Sequence, residues 1–156
     1  YKLLPENVRN NTWVLFCGGG DLDSLRQSFN GLPLEEQKHL VLCGAVEKSG
    51  VSNYYKQADG VVLLSHTEGF GLSLVEGMHF GLPCAMFKDM DAFDDIFDPC
   101  AVVTIDNRDD DSVAKGIVRL LNTDWDKQQI KDYSKRFDSE AMAISYKNVY
   151  STIVCK

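Results

Sequence analysis

No C-x-x-C pair occurs among the five cysteines, no apolar run approaches the roughly 20 residues that span a bilayer as a helix, and basic residues are in the minority. Each shortage excludes something. With 16 Lys and Arg against 23 Asp and Glu, a net charge of -7, the chain has no surplus of cations to spread along a phosphate backbone, so nucleic acid is not an expected partner. An odd number of widely spaced cysteines fits neither a disulfide frame nor a zinc site. Cys17, Cys43 and Cys84 lie in the apolar runs "VLFC", "LVLC" and "PCAMF", and read as small buried thiols of a reducing, cytoplasmic compartment. The opening "YKLLPENVRNN" has no signal-peptide shape, and a soluble chain is expected. It starts at Tyr1 rather than Met and is expected to be a piece of a longer protein. Internal repeats, low-complexity segments and linkers are absent as well.

What is present suits one globular domain over residues 1–156: 44% hydrophobic and 25% charged residues provide both a core and a solvated surface. Short β-rich runs, "TWVLFCG", "HLVLCG", "GVVLLS", "PCAMF" and "AVVTI", alternate with segments of helical period. Continuous apolar runs indicate strands covered on both faces, hence a parallel sheet in a doubly wound α/β fold. Gly18 to Gly20, Gly44 and Ser65 each follow a strand, at the carboxyl edge where open α/β proteins bind ligands. The charge run "DNRDDDS" reads as a solvated loop, with Asp111 or Ser112 capping the helix "VAKGIVRLLN". Ala141, Ile144, Tyr146, Val149, Tyr150 and Ile153 recur every three to four residues and mark an amphipathic terminal helix.

Two stretches carry candidate chemistry. In "CGGGDLDSL" the glycines allow a tight turn toward a ligand, but the pattern is not G-x-G-x-x-G, and Asp21 serves equally well as a plain N-cap. Gly18 and Gly20 are second-rank candidates. In "SHTEGFGLSLVEG" a strand ends near Ser65 and a helix begins around Gly71 or Leu72. Leu72, Val75, Met78 and His79 are expected on one face, and "GLP" closes the helix. Glu68 then sits in the loop and Glu76 about a turn into the helix, while Gly69, Phe70, Gly71 and Leu72 present successive amides suited to a diphosphate. Carboxylates accept hydrogen bonds from vicinal hydroxyls, so two of them around an anion site suit a nucleoside diphosphate sugar. On spacing alone a capped helix with helpful glutamates explains the same residues, and slightly better.

The Glu-x7-Glu of Glu68 and Glu76 within "EGFGLSLVEGMHFGLP" resembles the signature of retaining GT-B glycosyltransferases of family 4. "VLFCGGGDL", "LVLCGAV" through "YYKQADGVVLLS", and "FDSEAMAISYKNVYSTI" are similar to the family's other segments in the right order. The resemblance implies a Rossmann-like donor domain, the C-terminal half of a GT-B enzyme. In such a domain Glu76 holds the ribose and Glu68 meets the transferred sugar near the reacting face. The amides of Gly69, Phe70, Gly71 and Leu72 line the sugar and diphosphate, and the backbone at Ala45 and Val46 meets the base. It further implies transfer with retained anomeric configuration, without a metal or cofactor, to a glycan or lipid-linked acceptor held by an N-terminal domain outside this chain. The family's Arg and Lys diphosphate clamp would precede Tyr1, so the isolated chain is expected to bind donor weakly and not to turn over. A surface-polysaccharide or glycolipid pathway is the expected setting, in the cytoplasm or peripherally at the inner face of the membrane. Two other classes stand beside this one: a nucleotide-sugar 2-epimerase of the same architecture, which does not usually carry this pair, and a non-catalytic nucleotide-binding module.

Overall fold

The computed structural model describes residues 1–154. In chain order the elements are α1 (Glu6–Arg9), β1 (Val14–Cys17), α2 (Leu22–Asn30), α3 (Leu34–Gln37), β2 (Leu40–Gly44), α4 (Lys48–Gln57), β3 (Val61–Leu63), α5 (Leu72–His79), β4 (Cys84–Phe87), α6 (Phe93–Ile96), β5 (Val102–Ile105), α7 (Asp110–Asn122), α8 (Lys127–Ser134) and α9 (Ser139–Val154). A 3-10 turn at Lys135–Phe137 joins α8 to α9. All five apolar runs are strands, every strand pair is parallel, and helices alternate with strands, as the sequence pattern predicts. The chain divides into two compact units, Tyr1–Gln57 and a second from Ala58 onward. No helix of the described residues is long and apolar enough to cross a membrane.

In the first unit β1 pairs with β2, Val14 opposite Leu40 and Cys17 opposite Gly44, with the register slipping between Phe16 and Cys17. Asp21 caps α2 through the Ser24 amide, as expected, and Phe29 of that helix meets Phe16 edge-on at 5.2 Å. Burial on both faces is not realised here: Leu15 is 47% exposed and Val41 38%, and Leu4 alone is buried among the described residues of this unit. A two-stranded ribbon with short helices has too little cover to enclose both faces. Cys17, expected as a buried thiol, is exposed for the same reason, standing at the end of β1 where the ladder slips; Cys43 is half-buried. Cys155 lies outside the described residues.

In the second unit the order β3-β4-β5 makes β4 the central strand, and all four of its residues are buried. Alternation along β4 divides the core into two layers. Cys84 and Met86 pack with Leu74 and Met78 of α5, Ile96 of α6 and Ile130 of α8, while Ala85 and Phe87 pack with Val103, Ile105 and Leu120 of α7. Helices on both faces make this sheet doubly wound. Cys84 behaves as a buried thiol should, its Sγ donating to the Leu74 carbonyl at 3.5 Å, and burial pushes its pKa up.

Two expectations need correction. Asp109, not Asp111 or Ser112, caps α7: its carboxylate accepts from the Ser112 amide at 2.8 Å and from the Ser112 hydroxyl at 2.9 Å. An aspartate three residues ahead of a serine amide satisfies the helix start directly, so the helix begins earlier than its apolar period. Along α9 the apolar stripe is present but uncovered, with Ile144, Tyr146, Val149, Tyr150 and Ile153 all exposed.

Helix α7 lies so close on β5 that a Cβ at Gly116 would stand 2.6 Å from Ile105 Cγ1. Overpacking of this kind costs about 1–3 kcal/mol, against about 1 kcal/mol that alanine returns in helix propensity. Gly116→Ala is therefore expected to lower the thermal midpoint by about 2–4 °C, the response to a net loss of about 1 kcal/mol in a chain of this length. Gly69→Ala, where a Cβ meets nothing within 4 Å, should leave the midpoint unmoved in the same calorimetric scan.

Candidate functional site

The carboxyl end of β3 runs into residues 64–70 and then α5, and three features shape this passage. Gly71 stands immediately before α5 with φ 78° and ψ 44°, in the left-handed region. A Cβ there would come within 3.2 Å of Ile96 Cδ1 and 3.4 Å of Leu63 Cδ2. The backbone angle calls for glycine, and a Cβ would in addition make Ile96 and Leu63 give by a few tenths of an ångström. Phe70 turns inward, its ring edge-on to Phe137 at 5.8 Å, and Phe137 meets Tyr133 at the same distance. No side chain caps the N-terminus of α5, which leaves the positive end of the helix dipole open beside exposed Gly69.

Helix α5 buries Leu74, Val75, Gly77 and Met78. Leu72, expected on that face, is instead 64% exposed: two residues before Leu74 it stands on the opposite side of the helix. It shares that exposed side with Glu76, one turn on. Glu68 is half-buried in the loop. The helix stops where "GLP" predicts, with Gly81 donating to the Met78 carbonyl at 2.8 Å and Leu82 to Gly77 at 3.1 Å. His79, expected on the same face as Val75 and Met78, is exposed instead: its Nδ1 contacts the Val75 carbonyl at 3.0 Å, and its Nε2 pairs with Asp138 Oδ1 at 2.5 Å, tying α5 to the start of α9.

The structure thus brings Glu68, Gly69, Phe70, Gly71, Leu72 and Glu76 together at the carboxyl end of β3. Gly18, Gly20, Ala45 and Val46 form a separate group in the first unit. There the Gly18 amide bonds the Gly44 carbonyl at 2.8 Å across the β1–β2 pair, so the glycine turn and the start of the Ala45–Val46 segment adjoin. Gly18 and Gly20 both have positive φ, 151° and 114°, with open space where a Cβ would be.

One residue escaped the sequence reading. Arg108, within the run taken as a solvated loop, donates from Nη1 to the Ser65 carbonyl at 3.0 Å and grips Asp89 with Nε and Nη2 at 3.0 and 2.9 Å. Its guanidinium lies 4.3 Å over the Phe87 ring, and it holds the Asp89 carboxyl below the usual carboxylate range. A lone arginine amid aspartates, just after a strand, was the available signal.

A family model described as glycosyl transferases group 1 matches residues 1–137. An uncharacterized glycosyltransferase of Methanocaldococcus jannaschii is 27% identical over 157 aligned positions, which cover 96% of this chain and 40% of that protein. The chain therefore spans well under half the length of this curated relative. Among solved structures, the apo form of the lipopolysaccharide outer core galactosyltransferase WaaB is similar at a TM-score of 0.75 and 18% identity, over 92% of this chain and 43% of that one. Sucrose-phosphate synthase of Thermosynechococcus elongatus is similar at a TM-score of 0.65 and 20% identity, over 90% and 38%. At these identities the likeness is one of fold, that of the GT-B glycosyltransferases.

The His79–Asp138 pair yields a pH dependence. Burial lowers the His79 pKa, but the bonds to Asp138 and to the Val75 carbonyl, with the charges of Asp138 and Glu76, outweigh it and raise the value above 6.5. A raised folded pKa stabilises fully below the unfolded value and loses that contribution as pH rises through the folded one. The thermal midpoint is expected to drift down above pH 6.5, less steeply in high salt because the pair is part-exposed. His79→Gln should remove the drift.

Proposed function

The chain belongs to the glycosyl transferases group 1 family, and from that premise we propose that it is the donor-binding, C-terminal half of a retaining hexosyltransferase of family 4. The observation that carries the proposal is the passage from β3 into α5. An uncapped helix start lies behind a left-handed glycine, with a half-buried glutamate before it and an exposed glutamate on the outer face of a helix buried on its other side.

The chemistry assigned to these groups follows from what each can do. Glu76 accepts hydrogen bonds from the ribose diol of a nucleoside diphosphate sugar, a task for an acceptor-only group on a rigid element. Glu68, on the loop, accepts from hydroxyls of the transferred sugar beside the reacting carbon, and neither carboxylate is required as a nucleophile. The amides of Gly69, Phe70, Gly71 and Leu72, backed by the α5 dipole, receive the diphosphate and stabilise its growing charge as the glycosidic bond breaks. This carries the leaving group without a metal. For Gly18, Gly20, Ala45 and Val46 the proposal is backbone contact to a nucleotide from the carboxyl edge of their own sheet. The acceptor, a glycan or lipid-linked sugar, and the cationic diphosphate clamp are assigned to parts of a longer protein, since the chain spans 40% of its curated relative. We place the reaction in the cytoplasm or at the inner face of the membrane, in building a surface polysaccharide or glycolipid; on its own the chain is proposed not to turn over.

Calorimetric titration of the chain with UDP, GDP and ADP and with their glucose conjugates tests this. Glu76→Ala is expected to weaken the preferred nucleotide at least about tenfold, the scale of hydrogen bonds to a charged acceptor. Glu68→Ala should keep nucleotide binding and erase the added affinity for the sugar conjugate. Absence of binding by all six compounds at millimolar concentration would sink the proposal.

A further inference from the structure

Arg108 reaches across the whole second sheet. It follows β5, lies over Phe87 at the end of central β4, grips Asp89 just beyond it, and ends on the carbonyl of Ser65 just beyond β3. Two strand spacings amount to about 10 Å, a span suited to a long side chain whose planar fork donates in two directions at once. The fork on Asp89, through Nε and Nη2, fixes the guanidinium plane, and Nη1, on the other side of that fork, donates to the Ser65 carbonyl. Its side chain is 23% exposed against 64% for Asp89, so the arginine is the shielded member.

Ser65 opens the loop that carries Glu68. The far end of that loop is already held, by Gly71 in its left-handed conformation and by Phe70 against Phe137. Arg108 supplies the hold at the near end, leaving Glu68 on a short span between two fixed points, with the diphosphate-binding amides from Gly69 onward at the far, already held end. Helix α5, with Glu76, is anchored independently by its buried Leu74, Val75 and Met78.

We propose that Arg108 is a positioning residue that fixes the Glu68 loop through the Ser65 carbonyl, and so sets discrimination for the sugar of the donor rather than affinity for its nucleotide. This rests on the donor-site reading above. Arg108 is committed to Asp89 and Ser65 and acts without touching the diphosphate.

The test uses the 156-residue chain as wild type, Arg108→Met and Arg108→Lys, with two readouts. The first is backbone 15N relaxation of residues 66–69 without ligand. Arg108→Met is expected to drop their order parameters from the rigid level of about 0.85 to below about 0.6, while α5 stays rigid. Arg108→Lys keeps the charge but loses the fork and should fall between; it also serves if Arg108→Met does not fold. The second readout is calorimetry with UDP, GDP and ADP and their glucose conjugates. Arg108→Met is expected to lose about tenfold in affinity for the bound sugar conjugate and less than about twofold for its nucleotide, the size of one charge-assisted hydrogen bond. Equal losses for nucleotide and conjugate would mean that Arg108 binds phosphate itself and would overturn the inference, as would unchanged loop order in both variants. If wild type binds none of the compounds, the donor-site reading fails and loop order alone decides whether Arg108 tethers the loop.

Discussion

Helix α5 can bury only one side against the sheet, and most of the site geometry follows from that constraint. Leu74 and Met78 pack against Cys84 and Met86 of the central strand, fully enclosed. Fixing that side turns Leu72 and Glu76 outward. It also brings the helix start against Leu63 and Ile96, where the chain turns through the left-handed region that favours glycine. The carboxylate on the helix and the far end of the loop are thus placed by a hydrophobic contact of α5 that contains neither of them, while Arg108 holds the near end.

Much of this was legible beforehand, and for identifiable reasons. Each strand announced itself as a continuous apolar run. The α5 start at Gly71–Leu72 and its stop at "GLP" followed from glycine placement. The side of α5 on which Leu72 falls did not, because in an eight-residue helix the apolar period leaves its phase ambiguous until the sheet selects it. Apolar runs also report that a strand can be covered, not how much covers it. That is why β4 matches the expectation and β1, with exposed Leu15 and Phe16, does not.

Arg108 was illegible for a different reason. Its bond to Ser65 joins residues 43 positions apart, and a charged residue in an acidic run looks solvated unless the strand order is known. Once β5 is adjacent to β4 and β4 to β3, the loop after β5 becomes a neighbour of the loop after β3, and a side chain of arginine's length spans them. Asp109 in "DNRDDDS" has a local role as the cap of α7, whereas the role of Arg108 depends on the strand order.

As proposed, the β3–α5 passage receives the diphosphate sugar on the backbone of Gly69 to Leu72. Chemical-shift mapping of the 15N-labelled chain during titration with UDP-glucose, GDP-glucose and ADP-glucose tests it most directly. One of the three is expected to shift the amides of Gly69, Phe70, Gly71 and Leu72 in a saturable manner, together with that of Glu76. Saturable shifts confined to other segments, with these amides unmoved, would contradict it.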